Sequence, residues 1–240
     1  EGGMNAIRLR VWVNPANGWC NTADVMSKAL RAKALGMKIL IDFHYSDSGA
    51  DPGQQTKPAA WKAETIAQLI ASVSDHTKEV LNALKTNNVV PAWVQVGNET
   101  NDGMLWPEGK ASMNMANFAA LINSGYDAVK SIFPSTKVIM HLSNGFDNSL
   151  FRSMFDGLKS NNAKWDVIGM SLYPTAGNWA DLNRQCIANM SDMISRYGKD
   201  IMICEVGMPV SDSSACKSFI QDLIAKSKSI PNNKCLGVFY

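Results

Sequence analysis

Short apolar runs alternate with longer amphipathic stretches along the whole chain. The runs fall at 6–13, 38–43, 91–97, 137–142, 166–172, 200–205 and 235–240, each of strand length and bounded by polar or turn-forming residues. Between them, 22–35, 62–86, 113–133, 148–158, 182–197 and 213–229 repeat their apolar positions at helical spacing. Punctuation agrees: Gly36 and Gly198 stand just past two of these helices, where a left-handed cap is favoured, and Pro134 stops a third. Seven strands alternating with six helices predict a parallel sheet with crossover helices, an α/β fold. A doubly wound open sheet would bring a glycine-rich phosphate turn after an early strand. Here the first strand runs into Asn14-Pro15-Ala16-Asn17-Gly18, which cannot cradle a pyrophosphate. The expectation is therefore one domain over 1–240, a (β/α)8 TIM barrel short of its first strand and of the segment after its last.

In such a barrel the C-terminal ends of the strands converge on one mouth, and there the chain is unusually polar. The first strand carries Arg8 and Arg10 on one pleat face, with Trp12 and Asn14 beyond them at the same period. Later strands deliver His44, Tyr45 and Asp47, then Asn98 and Glu99, His141 and Asn144, Tyr173, Glu205, and finally Tyr240. Any one of these has a bland explanation as a packed histidine or a turn residue. Seven strands all ending in hydrogen-bonding groups do not. The two glutamates are the sharpest feature, since a pair of carboxylates brought together by different strands is the minimal equipment for hydrolysing a glycosidic bond.

Composition removes rival classes. A net charge of +2 with 18% charged residues offers no footprint for nucleic acid, and no apolar stretch is long enough to cross a membrane. The five cysteines are scattered without a CxxC pair, which argues against zinc or redox chemistry, while one bridge among Cys186, Cys216 and Cys235 is compatible with an exported protein. No strand run ends in Lys, as a Schiff-base aldolase would require. Only three histidines are present, too few and too dispersed for a metal-dependent hydrolase. The tripeptides Asn98-Glu99-Thr100 and Asn189-Met190-Ser191 match the glycosylation pattern by chance, the first because a glycan there would block the expected site.

The order of motifs resembles the family 53 glycoside hydrolases, endo-β-1,4-galactanases of a large retaining clan. The resemblance is carried by Arg8-Leu9-Arg10-Val11-Trp12-Val13-Asn14-Pro15, Asp42-Phe43-His44-Tyr45-Ser46-Asp47, Ala50-Asp51-Pro52, Gln55-Thr56-Lys57-Pro58 and Trp61. It continues through Val96-Gly97-Asn98-Glu99, Leu105-Trp106-Pro107, His141-Leu142-Ser143-Asn144-Gly145, Ser171-Leu172-Tyr173-Pro174 and Gly237-Val238-Phe239-Tyr240. It implies Glu99 as general acid/base and Glu205 as nucleophile, with Arg8 holding Glu205 and Asn98 donating to the sugar 2-hydroxyl. It further implies Tyr173 beside the nucleophile and His44 and His141 binding hydroxyls or tuning Glu99. Trp12, Trp61, Trp106 and Trp179 are candidate stacking faces for sugar rings, whereas Trp93 and Trp165 read as core. Asp47, Asn144 and Tyr240 complete the candidate site. The loop 46–60, polar and rich in Gly and Pro, is expected to form an open groove wall suited to internal cleavage.

Three departures from the family pattern stand out. Ser48-Gly49 replaces a usual Trp, the stretch after Glu99 is more polar than usual, and the pattern continues past Tyr240 with a Trp-Glu-Pro run. Without that Trp the floor of the sugar site is expected to be incomplete. No cofactor is implied. Some members of the family hold calcium, but Asp47, Asp51 and Asp102 lack the spacing of a calcium loop. The expected partner is a polysaccharide, β-1,4-galactan, cleaved by a monomer outside the cell or in the periplasm. The alternatives are another retaining endo-glycanase of the clan, acting on mannan or glucan, and a carbohydrate-binding barrel without catalysis.

Overall fold

The computed structural model describes residues 3–240. Strands β1 (Ala6–Val11), β2 (Lys38–Phe43), β3 (Trp93–Val96), β4 (Lys137–Leu142), β5 (Val167–Leu172), β6 (Asp200–Val206) and β7 (Cys235–Val238) form one sheet in sequence order. Every neighbouring pair is parallel. Helices α1 (Thr22–Ala34), α2 (Ile66–Thr86), α3 (Met115–Ile132), α4 (Asn148–Ser160), α5 (Trp179–Tyr197) and α6 (Ser213–Lys228) make the crossovers. This is the expected barrel architecture, and its curl is measurable: Arg8 of β1 meets Glu205 of β6 at 2.7 Å although four strands separate them in the sheet.

Local chemistry sets the element ends. The side chains of Asn21, Asn114 and Asp147 accept the first free amides of α1, α3 and α4. Thr65 and Gln68 form a reciprocal capping box that starts α2. That box explains why α2 begins at Ile66 rather than at 62, with Ala59–Trp61 forming a separate short 3₁₀ turn. Gly198 closes α5 in the left-handed region at φ +66°. Strand β7 stops at Val238, two residues short of the expected end.

Side-chain alternation divides the core into two layers. Outward strand positions such as Val94, Val138, Met140, Ile168, Met170, Ile201 and Ile203 pack with buried residues of the helices. Inward positions Leu40, Ile139, Val167, Met202 and Cys204, with Trp93 and Phe239, form a second cluster that contains no helix residue. Two positions further along the same faces the inner residues become polar: Asp42 after Leu40, Gln95 after Trp93, His141 after Ile139. The barrel interior is thus apolar toward the N-terminal ends of the strands and polar toward the C-terminal ends. All five cysteines are free, so no bridge joins Cys186, Cys216 and Cys235.

Candidate active site

Two backbone irregularities aim the glutamates. Beyond β3, Gly97 (φ +81°) and Glu99 (φ +46°) both lie in the left-handed region. A Cβ on Gly97 would stand 2.7 Å from Thr100 Cγ2 and 3.1 Å from Met104 Sδ, so the position is closed to side chains sterically as well as conformationally. The Thr100 amide donates to the His141 carbonyl at 3.0 Å and pins the turn to β4. This surrounding structure holds Glu99 in a conformation that costs about 1–3 kcal/mol elsewhere. Replacing Gly97 by Ala is expected to lower stability by about 3 kcal/mol, read as a lower urea midpoint with unchanged m-value. On β6 the pairing jumps from Met170↔Ile203 to Ser171↔Glu205, leaving Cys204 as an extra residue. Cys204 already faces the interior, so in a regular strand Glu205 would point at the helices. The bulge turns it into the mouth instead.

Arg8 is the hub. Its Nη2 lies 2.7 Å from Asp42 Oδ2, from Glu205 Oε1 and from Asn98 Oδ1, and its Nε donates to Gln95 Oε1 at 3.2 Å. Burial would raise the Asp42 pKa, but Arg8 and His44 outweigh it and hold the carboxyl below the usual range. His44 Nδ1 accepts from the Ala50 amide at 2.8 Å, which leaves Nε2–H to donate to Asp42 at 2.9 Å. Asn98 Nδ2 donates to the Ala50 carbonyl at 2.8 Å, leaving one N–H of that amide. Tyr173, 58% exposed, donates its hydroxyl to Glu205 Oε2 at 2.7 Å. Both Glu205 oxygens are therefore held in place, one by Arg8 and one by Tyr173.

Glu99 is treated oppositely. Burial and the neighbouring Glu205 anion push its pKa up, against the opposing pull of the Ser171 hydroxyl and Arg8. A carboxylate oxygen of each glutamate and a ring nitrogen of His141 all lie within 4.8 Å of one another. The trio does not suit a metal. His141 Nε2 is 2.7 Å from Ser171 Oγ, its Nδ1 is 2.9 Å from Gln95 Nε2, and a cation would have to compete with the guanidinium on Glu205. Burial above all pushes the His141 pKa down to about 4, so the ring is neutral near pH 7. A carboxyl whose pKa is raised faces one held through both oxygens by Arg8 and Tyr173, an asymmetry that acid-assisted displacement can use.

Residues 1–240 match the family described as glycosyl hydrolase family 53. The chain belongs to that family. It is 39% identical over 215 residues to an uncharacterised protein of Niallia circulans, covering 87% of this chain and 58% of that one. It is 37% identical over 236 residues to a probable arabinogalactan endo-β-1,4-galactanase A of Neosartorya fischeri, covering 95% of this chain and 65% of that one. The family 53 chain thus spans about three fifths to two thirds of the length of these curated relatives. Among solved structures, a fungal β-1,4-galactanase superposes with a TM-score of 0.90 at 31% identity, covering 99% of this chain and 77% of that one.

The candidate residues from the sequence do not all meet. Arg8, Asn98, Glu99, His141, Tyr173 and Glu205 converge, with His44 one step behind through Asp42. Asp47 supports rather than faces the site, its two oxygens accepting the Asn14 and Ala59 amides at 2.9 and 2.8 Å. Trp61 is corrected from a stacking face to a packing residue: it is buried in the outer core, edge-on to His76 at 6.1 Å. Trp106 is half-buried, tethered by its Nε1 to the Asp102 carbonyl at 2.9 Å. It lines a cavity of about 640 Å³ with Asp47, Lys57, Lys62 and Glu108, whose walls include neither Glu99 nor Glu205. Trp12 stays half-buried beside His44, with Arg10 stacked 5.6 Å from its ring, and Trp179 packs against the core. Asn144 is an exposed left-handed turn residue at φ +53°. Tyr240 is 71% exposed with its hydroxyl 3.7 Å from Cys216 Sγ, apart from the hub.

Four residues that matter to the site lay outside the candidates: Asp42, Gln95, Gln55 and Ser171. Gln55 is buried and donates to the Asn98 carbonyl at 2.8 Å, tying the loop after β2 to the Glu99 turn. Asp42, Gln95 and Ser171 share a sign that could have found them, a polar residue breaking an apolar strand run at inward parity.

Proposed function

We propose that this chain carries the catalytic barrel of a secreted, monomeric endo-β-1,4-galactanase that cleaves galactan or arabinogalactan with retention of configuration. The observation that carries the reading is the glutamate pair. Its oxygens come within 4.8 Å, compatible with the roughly 5–5.5 Å carboxyl separation of retaining enzymes and short of the roughly 6.5–9.5 Å that an inverting enzyme needs for its water. Glu205, oriented between Arg8 and Tyr173, attacks the anomeric carbon while Glu99 gives its proton to the departing glycosidic oxygen. Glu99, now anionic, takes a proton from water, which attacks the same carbon and releases Glu205. The remaining Asn98 N–H is available to the sugar 2-hydroxyl, a contact that strengthens as charge develops on the ring. Galactan as substrate rests on the family and on the names of its relatives. A polymeric substrate is met outside the cell or in the periplasm, and no helix among the described residues is long and apolar enough to cross a membrane.

The test is reducing-sugar release from β-1,4-galactan, with mannan and cellulose alongside, using the chain extended to the length of its relatives. Release from galactan alone is the expected result. Release from mannan or cellulose instead would keep the mechanism and discard the substrate. A folded protein that cleaves none of them while binding galactan would leave a carbohydrate-binding barrel.

A further inference from the structure

The far end of the barrel carries a cavity that no step of the hydrolysis uses. It encloses about 350 Å³ and is walled by Tyr126, Lys159, Lys164, Trp165, Tyr197 and Lys199. Trp165 stands just before β5 and Lys199 just before β6, so the cavity lies at the N-terminal ends of the strands. The six residues of β5 separate it from the mouth, about 20 Å at the rise of a strand.

Its walls combine packed aromatic rings with surplus positive charge. Trp165 and Tyr197 meet edge to face at 6.1 Å, and both pack on Phe155, at 5.3 and 5.7 Å. The neighbouring acids are already paired. Asp127 holds Lys164 at 2.9 Å, Asp166 holds Lys130 at 2.7 Å, Asp156 holds Arg196 at 2.7 Å and Asp200 holds Lys234 at 2.8 Å. Among the described residues, Lys159 and Lys199 are left without a carboxylate, and no acid lines the cavity. Lys199 Nζ stands 6.0 Å from the centre of the Trp165 ring. The indole of Trp165 adds a further donor: the residue is 6% exposed, and its Nε1–H has no acceptor among the described residues. Buried polar groups are nearly always paired, so a donor left over on the wall of a cavity points to a ligand oxygen.

We propose that this cavity binds a carboxylated sugar, its carboxylate paired by Lys159 and Lys199 and its ring laid against Trp165 and Tyr197. Ammonium and indole groups only donate, and an ionised carboxylate only accepts. Aromatic faces suit the C–H side of a pyranose, and the volume falls in the range of small-ligand sites. A neutral sugar would leave both ammoniums unmatched, and a bare phosphate would make no use of the rings. The site would anchor an acidic stretch of polysaccharide on the side of the barrel opposite the glutamates. It requires no turnover, so it stands or falls independently of the galactanase reading.

The test is ¹H–¹⁵N NMR titration of the chain with trigalacturonate, galactotriose and inorganic phosphate, following the Trp165 indole peak. Trigalacturonate alone should shift that peak saturably, with an affinity that falls as salt is added. The double variant Lys159→Gln, Lys199→Gln should weaken binding about tenfold. Trp165→Phe keeps a ring and removes the N–H, and should weaken binding while leaving its salt dependence in place. Both lysines lie on the surface, so the double variant decides the matter even if Trp165→Phe does not fold. Equal binding of galactotriose or of phosphate, or an affinity that the lysine substitutions leave unchanged, overturns the proposal.

Discussion

Removing the two glutamates is expected to give opposite outcomes that reveal which does what. Glu205→Ala should lower turnover by about 10⁴-fold or more on every glycoside, because no other group can form the covalent intermediate. Glu99→Ala should cost about 10²–10⁴-fold on galactan yet leave the first step nearly intact on a dinitrophenyl galactoside. In that variant the intermediate waits for a nucleophile that needs no general base. Added azide should speed turnover and yield the β-galactosyl azide, retained configuration after two displacements. In Glu205→Ala, azide instead fills the space of the lost carboxylate and gives the α-product by a single displacement. Azide products of the reverse configurations would exchange the two roles. Folding should survive Glu205→Ala, since Arg8 keeps its contact with Asp42 at 2.7 Å and is not left as an uncompensated buried charge.

The barrel was legible in the sequence because its strands are short, apolar on both faces over most of their length, and separated by helices with capped ends. Where the reading drifted, short-range chemistry decided the outcome. The Thr65 capping box delayed α2, and β7 ended two residues early. Glu99 and Glu205 were legible as strand-end acids, but the devices that aim them were not. A bulge at Cys204 and a left-handed turn at Gly97-Asn98-Glu99 are properties of pairing register and close packing, invisible to period-two counting. The tryptophans show the same limit. Trp61 in a polar loop reads as a sugar platform, yet the loop folds back so that the ring joins Tyr45 and Phe43 around His76. The sequence assigns Asp42 and Gln95 no role, because a buried polar residue inside an apolar run shows its purpose only through its contact with Arg8, 34 and 87 residues away.

Acid should destabilise this protein well before its carboxylates are exhausted. His76 is packed among Phe43, Tyr45 and Trp61 with its Nε2 buried and unpartnered, and burial pushes its pKa down to about 4. His141 is pushed to the same value, first by burial and then by Arg8. An unfolded histidine takes its proton near pH 6.5, so between that value and about 4 the unfolded state binds two protons that the folded state refuses. Stability is then greatest above this window and falls as the pH drops through it, by about 3 kcal/mol for each histidine. The combined loss rivals the whole stability of an ordinary domain. Glu99 acts with the opposite sign, because its raised pKa lets the folded state bind a proton first as the pH falls, and it returns part of that loss. Urea denaturation from pH 7.5 to 4 should therefore show a slope approaching about 2.7 kcal/mol per pH unit at mid-window. His76→Phe, which fills the same aromatic niche without a titratable ring, should halve that slope while leaving the His141 share in place. A stability curve that stays flat across the window would mean that both rings accept protons in the folded state, which their packing forbids.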